Sequence, residues 1–249
     1  MNNHFEYWYF TCGIDESWCD RVVDLGLKEI DRLKKENIST NATTGDLNLT
    51  KKENDKRVPL NDKTFGEKIT NKYDETYIRD SEVSWLTDQF IYDKVFPMVK
   101  EANKKAGWNY DFDYAESCQF TKYGLNQFYG WHTDGNSDHI AAYSKDKDRN
   151  KKLYNLETTP FTEYDDFDNK VRKLSVTINL STENSYEGGN LKFDLGPHHL
   201  KKERYLECTQ IRPRGSMIVF PSFSYHQVTP VTKGTRYSLV IWFLGRPFR

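Results

Sequence analysis

Near the start of the chain, apolar residues recur at helical spacing. Trp18, Val22, Leu25, Ile30 and Leu33 predict a helix running to about Lys35, with Asp15 placed to cap its N-terminus. An aromatic, strand-like segment precedes it. The same helical pattern returns from about Glu82 to Ala106 and stops at Gly107, where a left-handed C-cap suits glycine. Pro97 inside that stretch predicts a kink or a shortening. Residues 36–75 between the two patterns are polar, without a sustained period, and read as a long surface loop.

From Phe112 onward the period changes to two. Short runs occur at about 112–123, 128–134, 172–180, 189–195, 204–212, 216–220, 225–229 and 235–244. Glu187-Gly188-Gly189, Arg212-Pro213-Arg214-Gly215 and Lys233-Gly234 punctuate them as turns. A second long, charged insertion lies at 135–170. In 172–180, Leu174, Val176, Ile178 and Leu180 share one face, and Ser175, Thr177 and Asn179 share the other. In 235–244, Tyr237, Leu239, Ile241 and Phe243 oppose Arg236, Ser238, Val240 and Trp242. The apolar faces are expected beneath the helices or across a sandwich, and the polar faces around a cavity. The expected class is mainly β with flanking helices (α+β). Its core is a jelly roll with N-terminal helices packed on one sheet. A single domain over 1–249 is expected, with 1–111 as helical support and 112–249 as the core.

Composition narrows the function. The net charge of -1 shows no basic excess and argues against a nucleic-acid partner. No apolar run is long enough to span a membrane. The first ten residues lack the parts of a secretory signal. Cys12, Cys19, Cys118 and Cys208 form no CxxC pair and read as reduced thiols, so a cytoplasmic location is expected.

His132-Thr133-Asp134 sets an imidazole and a carboxylate two residues apart, on one side if the segment is a strand. Alone this is weak, because an exposed His and Asp at a strand end read the same way. His226, in a β region after Phe220-Pro221, supplies a second imidazole, and Arg236 follows ten residues later. Two His and one carboxylate are the set preferred by non-haem Fe(II). An arginine offers a two-pronged clamp for a dicarboxylate. His198-His199 beside Lys201-Lys202, His139 in the insertion and terminal His4 read as loop residues. The charge runs at 145–152 and 163–170 read as solvated loop.

These residues carry a resemblance to the prolyl 4-hydroxylase-like Fe(II)/2-oxoglutarate oxygenases, particularly the bacterial PKHD-type hydroxylases. The segment from Phe120 through Tyr123, Tyr129, Gly130 and Trp131 to His132 and Asp134 resembles the family's tyrosine, glycine, aromatic, His-x-Asp strand pair. Leu174 to Leu180, then Tyr186-Glu187-Gly188-Gly189-Asn190-Leu191, resembles its strand and Gly-Gly-x-Leu hairpin. Gly215 to Pro221 leads to His226, Arg236 and Trp242 in the family's order, and Arg79 to Leu86 resembles its N-terminal half. The resemblance implies a double-stranded β-helix, cupin-like fold. It also implies Fe(II) on His132, Asp134 and His226, with 2-oxoglutarate on Arg236, Tyr123, Ser238 and Thr177. Tyr129, Trp131 and Trp242 are candidate substrate contacts, with packing as the alternative for Trp242. Ascorbate is a further candidate cofactor. The implied reaction hydroxylates a C–H bond with O2, most readily in a prolyl residue of a protein or peptide, releasing succinate and CO2. Alternatives are a small-molecule substrate such as a free amino acid, or a non-catalytic jelly-roll binding module. Collagen-type members resemble the pattern but carry lysine where Arg236 stands. Oxygen-sensing members place a tyrosine on the strand that here offers Thr177 and Asn179.

Overall fold

The computed structural model describes residues 5–42, 58–59, 76–77, 79–135, 170–196 and 204–248. In chain order its elements are β1 (Trp8–Phe10), α1 (Glu16–Lys35), β2 (Val58–Pro59), β3 (Thr76–Tyr77), β4 (Arg79–Asp80), β5 (Glu82–Leu86) and α2 (Gln89–Lys105). They continue with β6 (Tyr114–Ala115), β7 (Cys118–Tyr123), β8 (Phe128–His132), β9 (Val171–Asn179), β10 (Tyr186–Gly188), β11 (Leu191–Asp194) and β12 (Tyr205–Glu207). Last come β13 (Met217–Pro221), β14 (Tyr225–Val228), β15 (Val231–Gly234) and β16 (Arg236–Gly245).

The major sheet runs β1-β13-β9-β16-β7-β5, with β6 paired to β16, and the smaller sheet runs β12-β11-β14-β8-β4. Every pairing within these two sheets is antiparallel. From β7 the chain passes to β8 in the small sheet, back to β9, across to β11 and β12, back to β13, across to β14 and home to β16. That winding is a double-stranded β-helix, the jelly roll expected from the spacing of short strands.

Strand parity sorts the two faces of the major sheet. Leu174, Val176, Ile178, Leu239, Ile241, Phe243, Phe120 and Met217 form one core with Trp18, Cys19, Val22 and Ile30 of α1 and with Ile91, Val95 and Val99 of α2. The helices therefore cover the outer face, as their amphipathic stripes require. Helix α1 starts where Asp15 Oδ1 accepts from the Trp18 N–H at 2.8 Å. Helix α2 runs through Pro97 to Lys105, and Gly107 takes the left-handed conformation at φ 76°. Between the sheets the packing is divided. Leu191 and Phe193 meet Ile218 and Phe220 in an apolar cluster, while Gln119, Thr121, Ser175, Thr177, Arg236 and Ser238 are buried polar side chains on the inner face.

Three expectations need correction. Residues 82–86 are not the first turn of the second helix but strand β5. Their alternation of Val83 and Trp85 with Ser84 and Leu86 pairs them with β7 at the sheet edge. The 36–75 segment is not wholly loop: Asn41 bridges Glu82, and Val58–Pro59 pairs with Thr76–Tyr77. The run at 204–212 is strand only over Tyr205–Glu207, after which Thr209–Ile211 form a 3₁₀ turn that tucks Ile211 into the apolar cluster. The four cysteines are free thiols, Cys12 exposed and the other three buried. Among the described residues no helix is long and apolar enough to cross a membrane. His4, His139, His198, His199 and the charge run at 145–152 lie outside the described residues, as does 163–170 up to Lys170.

Candidate metal centre and anion pocket

Strands β8 and β14 are neighbours in the small sheet, and His132 and His226 are direct register partners across them. Their rings lie 4.2 Å apart between centroids. Each imidazole is anchored by the backbone two residues before it. His132 Nδ1 is 2.7 Å from the Gly130 carbonyl and His226 Nδ1 is 2.9 Å from the Ser224 carbonyl. A carbonyl can only accept, so both Nδ1 atoms carry a proton, and Nε2 is the atom that each imidazole can offer to a metal. The two Nε2 atoms face one carboxylate. Asp134 Oδ1 is 3.5 Å from His132 Nε2, and Asp134 Oδ2 is 3.7 Å from His226 Nε2.

The donor set fits a divalent cation. The ligand atoms of His132, Asp134 and His226 lie within 4.8 Å of one another. The Asp134 side chain is only 6% exposed, and its Oδ2 is buried without a hydrogen-bond partner among the described residues. A buried carboxylate oxygen with no donor is costly unless a cation or proton reaches it. Burial alone would raise the Asp134 pKa, but His226, His132 and a Ser175 hydrogen bond outweigh it and hold the carboxyl well below its usual range. Burial, with His132 beside it, pushes the His226 pKa down to about 4, against the pull of Asp134. The shifts thus favour an ionised Asp134 and a neutral His226, the protonation states in which a carboxylate and an imidazole bind a metal.

Asp134 does not sit on the strand as a same-side neighbour of His132. Strand β8 ends at His132, and Asp134 lies on the bend beyond it. Its N–H donates to the Ser222 carbonyl at 3.0 Å, and its carbonyl accepts from Arg172 at 2.8 Å. Strand β8 also carries a bulge. His226 faces His132 and Val228 faces Tyr129, so Gly130 and Trp131 on β8 lie opposite the single Gln227 on β14. The bulge turns Tyr129 inward with His132, against which it stacks at 3.4 Å. Trp131 is not near the triad. It points to the outer face of the small sheet and stacks between Tyr205 and Tyr225, both of them about 40% exposed. Alternation places it on the face opposite that of its neighbour His132.

Across the sandwich, Arg236 is 1% exposed. Its register partner on β7 is Tyr123, whose ring lies 5.5 Å from the guanidinium carbon. Tyr123 forms a cluster with Val228 and Val231, against which Tyr129 packs, and this links the arginine side to the triad. The Arg236 guanidinium donates to Ser238 Oγ at 3.3 Å, its Nε is buried without a partner, and it makes no ion pair among the described residues. A buried cation without a carboxylate among the described residues is costly unless an anion reaches it. Gly189 permits the fold here: it sits at φ 60°, and a Cβ would lie 2.9 Å from the arginine's Cδ. Thr177 is inward and 8% exposed, opposite Val240. Asn179, read as a cavity residue, instead binds the Ser181 and Arg212 carbonyls through Nδ2 and serves as a turn brace. Trp242 is 6% exposed, beside Trp85, with its Nε1 buried and without a hydrogen-bond partner among the described residues.

Several residues at this site did not announce themselves in the sequence. Arg79 is buried over the Tyr129 ring at 4.5 Å and bonded to Gln119 at 2.7 Å. Arg172 and Glu116 form a two-pronged pair, both bonds at 2.6 Å.

Comparison with known proteins agrees with this geometry. The model of the 2OG-Fe(II) oxygenase superfamily matches residues 118–244. A PKHD-type hydroxylase of Synechococcus sp. is 42% identical over 71 residues, 28% of this chain and 29% of that protein. A PKHD-type hydroxylase of Alteromonas mediterranea is 32% identical over 123 residues, 49% of this chain and 41% of that protein. The chain thus matches less than half the length of these curated relatives. The solved viral collagen prolyl hydroxylase of Paramecium Bursaria Chlorella virus-1 superposes with a TM-score of 0.54 at 16% identity, covering 98% of this chain and 99% of that one.

Proposed function

Because the chain belongs to the 2OG-Fe(II) oxygenase superfamily, we propose that it is a dioxygenase hydroxylating a C–H bond, in a prolyl residue of a protein or peptide. It would consume O2 and 2-oxoglutarate and release succinate and CO2. The supporting observation is the pairing within one sandwich of a His-Asp-His cluster with the buried, unmatched guanidinium of Arg236. A jelly-roll binding module has no need for both. The prolyl substrate rests on the PKHD-type and prolyl hydroxylase likenesses.

In this reading His132, Asp134 and His226 hold Fe(II), which when bound supplies the activation of O2 that no side chain can provide. The Nδ1 hydrogen bonds to Gly130 and Ser224 keep both imidazoles aimed at the metal without further reorganisation. Arg236 holds the far carboxylate of 2-oxoglutarate as a two-pronged donor, with Ser238, Tyr123 and Thr177 around it. Tyr129 packs on His132 and closes one side against water, while Trp242 lines the inner face. Residues 112–249 act as catalytic core and 1–111 as support, although β1, β4 and β5 also extend the two sheets. The four free thiols favour a reducing cytoplasm.

The test is turnover. Protein, Fe(II), 2-oxoglutarate and a proline-containing peptide library should yield succinate and peptides heavier by one oxygen. His132→Ala and Asp134→Ala should abolish both signals, with His139→Ala unaffected. Undiminished turnover in His132→Ala would rule out the assignment. Products from free amino acids and none from peptides would move the substrate to the small-molecule class.

A further inference from the structure

Asp134 needs a support that the other two ligands do not. His132 and His226 belong to paired strands, whereas Asp134 lies past the end of β8, where no strand ladder fixes its backbone. Two contacts hold its main chain instead. Its N–H donates to the Ser222 carbonyl, and its carbonyl accepts from Arg172 at 2.8 Å.

We propose that Arg172, clamped by Glu116, is the positioning residue that aims the Asp134 carboxylate at the cation. The inference rests on the metal-centre reading above. Arg172 Nε and one terminal nitrogen each donate to a Glu116 carboxylate oxygen at 2.6 Å, leaving the other terminal nitrogen for the Asp134 carbonyl. The flat guanidinium also lies on the Trp242 ring, its carbon 4.0 Å from the centroid. Glu116 is itself immobilised. Its N–H donates to the Trp242 carbonyl at 2.9 Å, and its carbonyl accepts from Tyr92 of α2 at 3.1 Å. Glu116 is 8% exposed. A planar fork held on one edge by a carboxylate and on one face by an indole has little freedom left. The guanidinium is a rigid five-donor fork, and its three bonds here satisfy the carboxylate and the carbonyl together in one plane. Lysine, a point charge on a flexible stem, does not reproduce that geometry.

A merely structural pair would change stability and nothing else. A positioning pair changes the metal at constant fold. The readouts are therefore Mn(II) affinity by titration of the full chain without co-substrate, and the visible absorption of the Co(II)-loaded protein. Arg172→Ala should weaken Mn(II) binding by about 10- to 100-fold, the usual cost of removing a support behind a ligand, and should change the Co(II) band shape. Arg172→Lys should not restore either. Glu116→Gln, which keeps the side-chain shape, should weaken Mn(II) in the same direction by less. Lys233→Ala, which removes an exposed ion pair with Glu187, should leave both readouts unchanged. Wild-type Mn(II) affinity and an unaltered Co(II) spectrum in Arg172→Ala would overturn the proposal. Should that variant not fold, the same result in Glu116→Gln overturns it. His132→Ala separates the two levels. If wild type fails to bind Mn(II), or His132→Ala binds it equally well, the metal-centre reading itself fails.

Discussion

A single buried guanidinium shows how function and stability oppose each other at the level of one residue. Arg236 is enclosed, donates to Ser238 and finds no carboxylate among the described residues. Burying its charge thus costs folding energy that an anion bound there would offset. Arg236→Met keeps the bulk and removes the charge. The variant should fold with a melting temperature no lower than wild type and bind Mn(II) normally. Its KM for 2-oxoglutarate should rise about 10- to 100-fold, since hydrogen bonds to charged groups are worth about 1.5–3 kcal/mol. A melting temperature that falls while the KM stays unchanged would show that the arginine is structural. Lys173 makes a related case. It is 3% exposed, its amine 3.4 Å from the Phe248 centroid. Burial lowers its pKa below the usual lysine value, with Asp111 pulling the other way. The folded chain therefore gives up this proton at lower pH than the unfolded chain. The charge costs stability at neutral pH, and the cost vanishes as pH rises through the folded pKa toward the unfolded one. Lys173→Met should accordingly raise the melting temperature near neutrality, with its advantage shrinking as the solution becomes alkaline. An advantage that grows with pH would refute this account.

At the level of elements, the close fit of α1 on the sheet turns on a glycine. Gly26 is buried in the middle of the helix, and a Cβ there would lie 2.2 Å from the Phe120 ring. Alanine at this position gains about 1 kcal/mol of helix propensity but forces the helix off the ring, an overpacking that costs about 1–3 kcal/mol. The ring is rigid and fully buried, so the steric cost should win. Gly26→Ala should lower the melting temperature, and adding Phe120→Leu should recover part of the loss. A rise in Gly26→Ala alone would contradict the packing. This contact also marks the limit of what patterning reveals. The spacing of Trp18, Val22 and Ile30 located the buried stripe of α1, and parity on β9 and β16 separated the helix-covered face from the polar one, because both signals come directly from backbone period. Gly26 was silent because a missing side chain has no hydropathy signature. Glu82–Leu86 was misread because five residues of mixed polarity suit a helix start as well as an edge strand, and pairing with β7 decided between them. The β8 bulge was equally hidden. It moves Tyr129 beside His132 and leaves Trp131 outside, and strict alternation cannot foresee a register slip.

Across the whole molecule, the site joins parts that the chain keeps far apart. His132 and His226 come from the small sheet and Arg236 from the major one, so a ligand touching all three ties one layer to the other. The triad and the arginine were legible early because their chemistry is unusual in combination. The Arg172–Glu116 support was not, because its members lie 56 positions apart and are ordinary charged residues taken singly. Tying the layers together has a thermodynamic consequence. A ligand that binds only the folded state stabilises it by about 2.7 kcal/mol at 100 times its Kd, which for a chain of this size raises the melting temperature by several degrees. Mn(II) alone should produce such a shift through the two imidazoles and Asp134. 2-Oxoglutarate alone should produce little, since only the Arg236 end of the pocket would hold it. Added after Mn(II), 2-oxoglutarate should give a further shift, because the metal then engages its other end. Chelation should reverse both shifts, His132→Ala should remove both, and Arg236→Met should remove only the second. A full 2-oxoglutarate shift in metal-free protein would mean that the anion pocket works independently of the triad, and the two sheets would then hold separate sites.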